Sequence, residues 1–120
     1  MKKILIIDDS NTNVVLLEAI LNSRGYDIQT AYNVNEAQEM LARERPALIL
    51  LDLLMPRISG YQFLDRLKKD TKYRDIPVIV VSAVTDAPNI QRTFELGAVD
   101  YIEKPVDIKL LLAKVEKTLN

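Results

Sequence analysis

Five polar residues stand at the ends of aliphatic runs in this sequence, and together their types could hold a metal ion and a phosphoryl group. They are Asp8, Asp9, Asp52, Ser82 and Lys104. Asp52 has the most apolar surroundings, because it lies inside the stretch LILLDLLMP at residues 48–56. Removing a lone carboxylate from water is costly unless it is paired or bound to a metal. Asp52 therefore either lies where a strand reaches the surface or has a compensating partner.

The chemistry of these residues depends on whether the three aspartates meet. Carboxylates brought together repel one another and raise their pKa values unless a cation lies among them. Oxygen ligands favour a hard cation, and Mg²⁺ is the best match. A metal ion beside the Lys104 ammonium and the Ser82 hydroxyl is suited to a phosphoryl group. A carboxylate can be the nucleophile that accepts it, and the apolar context of Asp52 favours Asp52 for that role.

Each of these residues also has an ordinary structural explanation when it is taken alone. Asp9 or Ser10 could cap the helix that follows them. Asp52 could be a turn residue, Ser82 could be a turn or cap residue, and Lys104 could be an exposed surface lysine. The functional interpretation therefore rests on their joint occurrence at the ends of several strands.

The composition narrows the classes of function. The chain has 120 residues, a typical size for one domain, and 48% of them are hydrophobic. A net charge of −1 gives no sign of a nucleic-acid or membrane-binding surface. Cys and His are both absent, which excludes disulfides, thiol chemistry and phosphohistidine on this chain. No apolar stretch approaches the roughly 20 residues that cross a bilayer, so we expect a cytoplasmic location.

Five strands alternating with five helices are predicted to position the polar residues. Among five short aliphatic runs, the first, third and fourth are continuously apolar, which indicates strands that are buried on both faces of a parallel sheet. The predicted strands are Ile4–Ile7, Ile28–Ala31, Leu48–Leu51, Val78–Val81 and Val99–Ile102; the predicted helices are Asn11–Arg24, Glu36–Glu44, Gly60–Lys69, Asn89–Leu96 and Ile108–Leu119, the last capped by Asp107. Alternation over residues 1–120 predicts one α/β domain with a doubly wound, five-stranded parallel sheet of flavodoxin-like order 2-1-3-4-5.

This strand order brings the polar residues to one rim. Ligands of open α/β sheets bind outside the carboxyl ends of the strands, where the strand order reverses. Here the reversal lies between strands one and three, which end in Asp8, Asp9 and Asp52. Strand four then contributes Ser82, and strand five contributes Lys104.

The ordered set of residues resembles the receiver domain of bacterial response regulators, the phospho-accepting part of two-component signalling. The resemblance covers the whole chain, and its specificity lies in the order and spacing of the pieces. The matching pieces are Asp8-Asp9 after strand one, D-x-x-M-P-x-x-x-G from Asp52 to Gly60, Ser82-Ala83, Tyr101 and Lys104-Pro105.

The resemblance implies a role for each matching residue. Asp52 would accept a phosphoryl group from a histidine kinase or from the histidine phosphotransfer protein of a phosphorelay. Asp9, Asp52 and the backbone carbonyl of Leu54 would hold Mg²⁺, and Asp8 would act mostly through water. Lys104 would bind the phosphoryl group, and the peptide bond that follows it, to a proline, would be cis.

The resemblance also implies a switch and an output. Ser82 would move toward the phosphoryl group, and Tyr101 would turn from an outward to an inward rotamer, which changes a surface made of helix four, strand five and helix five. A downstream output protein or domain would read that surface. We therefore expect a signalling domain that catalyses its own phosphorylation and slow dephosphorylation rather than a conventional enzyme. Direct contacts with nucleic acid or membrane are not expected, and the chain would be a monomer or a weak dimer.

Two further features of the sequence concern rate and docking. The aliphatic Leu54 and Val84 follow Asp52 and Ser82 by two residues. The resemblance implies that fast-cycling members of the family often carry polar side chains there, which help to orient an attacking water, so slow self-dephosphorylation is expected. On helix one, the predicted core stripe is Leu16, Leu17, Ile20 and Leu21, which leaves Val14, Val15 and Ala19 on or near the outer face. Val14 and Val15 are either ordinary surface aliphatics or a docking patch for the phosphodonor.

Four rival functions fit the residues less well. A flavodoxin-like electron carrier needs a Ser/Thr/Gly-rich phosphate loop, but the loop after strand one reads DDSNTN. A P-loop nucleotidase would carry G-x-x-x-x-G-K-[ST], which the sequence lacks. An aspartyl-phosphate phosphatase would have a second aspartate two residues after its nucleophile, where Ser10 and Leu54 stand instead. An interaction module with an inactive site would not need the full set of site residues.

Overall fold

The structure is a computed structural model that describes residues 2–120. Five strands and five helices alternate strictly: β1 (Lys3–Ile7), α1 (Asn11–Asn22), β2 (Asp27–Ala31), α2 (Val34–Arg43), β3 (Leu48–Leu51), α3 (Gly60–Lys69), β4 (Val78–Ser82), α4 (Ala87–Glu95), β5 (Asp100–Glu103) and α5 (Ile108–Leu119). The strand order is β2-β1-β3-β4-β5, and every neighbouring pair is parallel. The predicted doubly wound order is confirmed.

The central strands are continuously apolar because helices cover both faces of the sheet. On β1, Ile4 and Ile6 face a core shared with α1 and α5, whereas Leu5 and Ile7 face a core shared with α2 and α3. All four side chains are almost completely buried. The sheet is therefore a rigid platform, and functional groups can lie only at its ends.

The register between β1 and β3 places two aspartates side by side. Ile7 is paired with Leu51 at the carboxyl end of the two strands. The next residues, Asp8 and Asp52, leave the sheet together, and the Asp52 amide donates to the Ile7 carbonyl at 2.9 Å. The two carboxylates share a location because the strands are parallel and end at the same height.

The register between β4 and β5 places the hydroxyl and the ammonium beside the aspartates. Ser82 is paired with Glu103, and the Lys104 amide donates to the Ser82 carbonyl at 2.9 Å. The Lys104–Pro105 peptide bond is cis, as the resemblance implied. Lys104 therefore enters the rim directly from the end of β5.

Several element boundaries differ from the prediction because polar caps decide them. Helix α2 begins at Val34 rather than Glu36, since the Asn33 side chain accepts the Glu36 amide at 2.9 Å. Helix α1 ends at Asn22, two residues before the predicted end. Its N-terminal cap is Ser10, which settles the choice between the two capping candidates. The predicted Asp107 cap of α5 is confirmed.

The orientation of α1 was predicted wrongly at two positions, Val14 and Leu16. Val14 is only 1% exposed and belongs to the core with Leu17 and Leu21, so it cannot be a docking residue on the surface. Leu16, predicted to be buried, is 44% exposed, and Val15 is 55% exposed. The spacing of three and four residues between positions 14, 17 and 21 fits one helix face. Apolar residues all round this helix hid its true orientation.

No helix within residues 2–120 is both long enough and apolar enough to cross a membrane. The longest helices described, α1 and α5, have 12 residues each, whereas a span needs roughly 20.

Candidate functional site

Three carboxylates meet at the carboxyl end of the sheet, as the strand order predicted. Asp8, Asp9 and Asp52 each offer one oxygen, and these oxygens all lie within 4.8 Å of one another. Asp8 and Asp52 are buried, whereas Asp9 is exposed. We call the group of Asp8, Asp9, Asp52 and Lys104 the acid pocket.

The Lys104 ammonium is the partner that Asp52 requires. Its Nζ donates to Asp8 Oδ2 at 2.8 Å and to Asp52 Oδ2 at 3.3 Å. Each aspartate also accepts a backbone amide through its other oxygen: Ser10 donates to Asp8 at 2.9 Å, and Leu54 donates to Asp52 at 3.3 Å. Asp52 therefore combines the turn-forming bond of its structural explanation with an ion pair to Lys104.

The surroundings of Asp52 leave the pKa of its carboxyl above the ordinary value. Burial raises the pKa of this carboxyl above its ordinary value; the neighbouring Asp8 raises it further, while Lys104 and the Leu54 amide oppose the shift. One ammonium shared between two buried carboxylates does not fully offset their desolvation and mutual repulsion. A second cation in the acid pocket would relieve the excess, and three carboxylate oxygens are the ligands that a hard divalent ion prefers.

Ser82 supplies a buried hydroxyl beside the acid pocket. The residue is fully buried, and within residues 2–120 its Oγ has no partner with hydrogen-bond geometry. The hydroxyl is nonetheless near enough to Asp52 and Tyr101 to favour their ionised forms. A buried polar atom without a partner costs free energy, so Ser82 is an available donor at the rim.

Tyr101 is turned inward in this structure. Its ring is buried, and its hydroxyl donates to the backbone carbonyl of Val84. Burial raises the pKa of Tyr101 to about 12, so the phenol stays protonated and remains a donor at neutral pH. The inward position belongs to one of the two rotamers that the resemblance implied; a change between them stays a prediction.

The loop between β3 and α3 explains the glycine of the D-x-x-M-P-x-x-x-G pattern. A Cβ on Gly60 would lie 2.2 Å from the carbonyl oxygen of Asp52 and 2.6 Å from the Leu53 Cα. The Gly60 amide donates to the Leu53 carbonyl at 2.9 Å. The start of α3 thus packs directly on the backbone that carries Asp52.

Sequence reasoning missed two details of that loop. Arg57 has a left-handed backbone with φ of 68°, and nothing in the sequence pointed to it. Ser59 and Gln62 form a reciprocal capping box that starts α3; the spacing S-x-x-Q was the available signal.

The aliphatic neighbours of the site differ in exposure. Leu54 is 56% exposed beside the buried Asp52. Val84 is partly buried and packs against the core on the α2–α3 side of the sheet. Neither side chain can bind a proton or orient a water molecule through a hydrogen bond.

The sequence and the fold were compared with known proteins. The family model of the response regulator receiver domain matches residues 4–116, so the chain belongs to this family. It is 36% identical over 119 residues to the DNA-binding dual master transcriptional regulator RpaA of Synechocystis, covering 99% of this chain and 49% of that protein. It is 39% identical over 113 residues to the response regulator PleD of Caulobacter vibrioides, covering 94% and 25%.

Solved structures agree with the sequence comparisons. The chemotaxis protein CheY4 of Vibrio cholerae matches with a TM-score of 0.92 at 26% identity and covers 99% of each chain. The signal receiver domain of a histidine kinase from Syntrophus aciditrophicus matches with a TM-score of 0.91 at 37% identity, covering 99% of this chain and 90% of that one. The chain thus spans whole solved receiver domains but only a half or a quarter of the curated relatives named above.

Proposed function

We propose that this chain accepts a phosphoryl group on the Asp52 carboxylate from a histidine kinase or a histidine phosphotransfer protein. The observation that carries the proposal is the convergence of Asp8, Asp9, Lys104 and the unpartnered Ser82 hydroxyl around that one buried carboxylate. Burial, an ammonium and an unpartnered hydroxyl around one carboxylate suit an acceptor of a charged group better than a purely structural ion pair.

The transfer itself needs little more than position and charge. An Asp52 oxygen would attack phosphorus, the phosphorus–nitrogen bond of the donor phosphohistidine would break, and the imidazole nitrogen would keep the electron pair. The product is an acyl phosphate with up to about two negative charges. Lys104 is placed to neutralise that charge, and Ser82 is placed to donate a hydrogen bond to it.

Asp8, Asp9 and Asp52, with the backbone carbonyl of Leu54, are the groups that we propose hold Mg²⁺. The donor set fits, because it consists only of oxygens and includes a carboxyl whose pKa is raised by burial and by a neighbouring acid. When bound, the ion supplies positive charge for the phosphoryl oxygens.

The remaining parts of the sequence prediction belong to the same proposal. Residues 1–120 act as one receiver domain in the cytoplasm, and phosphorylation is read through the surface made by α4, β5 and α5. Ser82 and Tyr101 connect the acid pocket to that surface, since the Tyr101 backbone lies on β5 and its hydroxyl reaches the loop before α4. The chain catalyses its own phosphorylation and a slow loss of the phosphoryl group.

Intact mass after incubation with acetyl phosphate and Mg²⁺ tests the proposal. Wild type is expected to gain the mass of one phosphoryl group, and Asp52→Asn is expected to gain none. Asp65→Asn, which changes an exposed carboxylate on α3, is the matched control and should be labelled like wild type. Labelling of Asp52→Asn at the wild-type level would refute the proposed acceptor, and labelling unchanged by EDTA would refute the role of the ion.

Val15 and Leu16 form the exposed apolar patch of α1 that we propose as the docking site for the protein donor. Val15→Lys is expected to slow phosphotransfer from a protein donor while leaving the rate with acetyl phosphate unchanged. Val99→Lys is a matched control, because Val99 is 51% exposed and lies next to the start of β5. Equal slowing with both donors would count against docking on α1.

A further inference from the structure

A cation–π contact joins α4 to the first turn of α3. The guanidinium carbon of Arg92 lies 4.4 Å from the centre of the Tyr61 ring, a distance at which a cation and an aromatic face attract each other. We infer that Arg92 is a positioning residue for phosphoryl transfer, because it holds the loop that follows Ser82 in place against the loop that follows Asp52. The inference rests on the proposed function and adds to it a residue outside the acid pocket.

The Tyr61 side of this contact is fixed to the acceptor residue. Tyr61 follows Gly60, where a Cβ would lie 2.2 Å from the Asp52 carbonyl oxygen. The start of α3 therefore cannot shift without moving the backbone of Asp52. Helix α3 also buries four of its ten residues, which anchors it on the sheet. The Tyr61 ring is thus a fixed point beside the loop between β3 and α3.

The Arg92 side of the contact belongs to a helix with little buried surface. Within α4 (Ala87–Glu95), Thr93 is the one buried residue, and its hydroxyl donates to the Ile90 carbonyl of the same helix at 2.7 Å. The other four helices bury three or four residues each. Segments with few buried apolar contacts open locally at low cost in free energy. The contact with Tyr61 therefore gives α4 an attachment that its own core residues provide only weakly.

The charges around Tyr61 support the aromatic ring as the partner of Arg92. Within residues 2–120, Arg92 takes part in no ion pair, although its side chain is exposed. The ring is partly buried; burial raises the pKa of Tyr61, whereas Arg92 lowers it and Asp86 raises it. Asp86 is the N-terminal cap of α4. The ring therefore lies near both the cap and the body of this helix.

The start of α4 is connected to the hydroxyl that the proposed transfer uses. Ser82 ends β4, and residues 83–86 alone separate it from α4. Within that loop, the backbone carbonyl of Val84 accepts the Tyr101 hydroxyl. A displacement of α4 moves this short loop, and with it the Ser82 hydroxyl relative to the Asp52 carboxylate. Because misplacement of reacting groups by about 1 Å slows a reaction strongly, the attachment of α4 contributes to the rate.

Removal of the contact tests the inference. Arg92→Met is expected to slow phosphoryl uptake from saturating acetyl phosphate about threefold, which corresponds to the loss of one exposed cation–π contact. The concentration of acetyl phosphate that gives half the maximal rate should not change, because Arg92 lies outside the acid pocket. Arg92→Lys keeps the cation and should restore most of the rate, whereas Tyr61→Leu should slow uptake as Arg92→Met does. Arg66→Met, which removes an exposed guanidinium from α3, is the matched control and should react like wild type.

Two further measurements separate positioning from a general loss of stability. With Tyr61→Leu already present, Arg92→Met should cause no further slowing, because the contact is already absent. In Arg92→Met alone, amide hydrogen exchange should be about threefold faster at Ile90, whose amide makes the first helical hydrogen bond of α4. Exchange should be unchanged at Phe63, whose amide makes the first helical hydrogen bond of the better anchored α3.

Several results would overturn the inference. They are equal slowing in Arg66→Met, further slowing when the two changes are combined, no restoration by Arg92→Lys, a change in the half-saturating concentration alone, and unchanged exchange at Ile90. Intact mass of the same samples separates these results from failure of the proposed function. If wild type gains no phosphoryl group, the proposed function is refuted together with this role of Arg92. If wild type gains one and Arg92→Met gains it equally fast, the positioning role alone is refuted.

Discussion

The acid pocket and the groove between α4, β5 and the start of α5, which we call the output groove, contain the same kinds of charge and use them differently. Each has three acidic side chains and one lysine: Asp8, Asp9, Asp52 and Lys104 in the pocket, and Asp100, Glu103, Asp107 and Lys114 on the groove walls. In the pocket, the strands bring carboxylate oxygens within 4.8 Å of one another. In the groove, one acid is paired with lysine, one caps α5, and one is free in solvent.

The difference shows that burial, rather than the number of charges, decides how strongly neighbouring acidic groups interact. Buried carboxylates interact strongly, and one of them has a raised pKa. Exposed carboxylates are screened by water and salt, so they contribute to the choice of partner more than to stability. Changes in the pocket should therefore have large effects on chemistry and stability, and equivalent changes elsewhere should have small ones.

The largest effect is expected from Gly60→Ala. The new Cβ would overlap the Asp52 carbonyl, so the backbone under the acid pocket must shift, at a cost of about 3 kcal/mol in the free energy of unfolding. Gly25→Ala is the control outside the pocket: the φ of Gly25 is positive, at 86°, which that of Gly60 is not, but no atom lies within 4 Å of the added Cβ. It should cost only about 1 kcal/mol. Urea unfolding measures both, and similar losses would show that the close approach at Gly60 is unimportant.

The second-largest effect is expected from Lys104→Met. Loss of the ammonium removes the positive charge beside Asp52, and phosphorylation by acetyl phosphate is expected to slow about a hundredfold. Lys114→Met removes the equivalent lysine of the groove and should change that rate less than about twofold. Circular dichroism of both variants checks that they are folded. A small effect of Lys104→Met would make the two lysines equivalent and remove the distinction between the two regions.

A smaller change is expected in the loss of the phosphoryl group. Leu54→Asn with Val84→Glu introduces polar groups that can orient an attacking water, and decay should become about tenfold faster. The decay is followed by intact mass after the donor is removed. A double variant no faster than wild type would show that these two positions do not set the lifetime.

The smallest effect concerns stability and pH. Because burial raises the pKa of Asp52, the folded protein holds this proton more tightly than the unfolded chain. Stability is therefore lost as pH rises from the ordinary value of 3.8 through the raised folded pKa. Near pH 7 and without Mg²⁺, Asp52→Asn is expected to raise the free energy of unfolding by about 1 kcal/mol. Urea unfolding measures this change.

Glu103→Gln is the matched neutralisation in the groove. It should change the free energy of unfolding by less than about 0.5 kcal/mol, because the Glu103 side chain is exposed. A loss of stability in Asp52→Asn would show that Lys104 compensates the buried carboxylates completely.

The residues that meet at the rim could be predicted because a buried carboxylate is recognisable in the sequence by its apolar neighbours. An aspartate within the aliphatic stretch around Asp52 is costly without a partner, and alternation of strands and helices fixes where such residues meet. Five strands suit the doubly wound order 2-1-3-4-5, in which the carboxyl ends of β1, β3, β4 and β5 lie side by side. Asp8 and Lys104 come from opposite ends of the chain, yet parallel strands that end at one rim place them 2.8 Å apart.

The features that were predicted wrongly or missed have weaker signals in the sequence. Helix α1 is apolar at most positions from Val14 to Leu21, so no polar side fixed its orientation, and Val14 was exchanged with Leu16. The left-handed Arg57 has no sequence signature of the kind that glycine provides.

The bond between Tyr101 and Val84 has a consequence for how such a domain can vary. The hydroxyl donates to the main chain of Val84, so the bond does not depend on which side chain residue 84 carries. A new side chain at position 84 could shorten or prolong the phosphorylated state while the tyrosine kept its partner. The duration of a signal and the form in which it is read would then be adjusted by separate atoms of one residue.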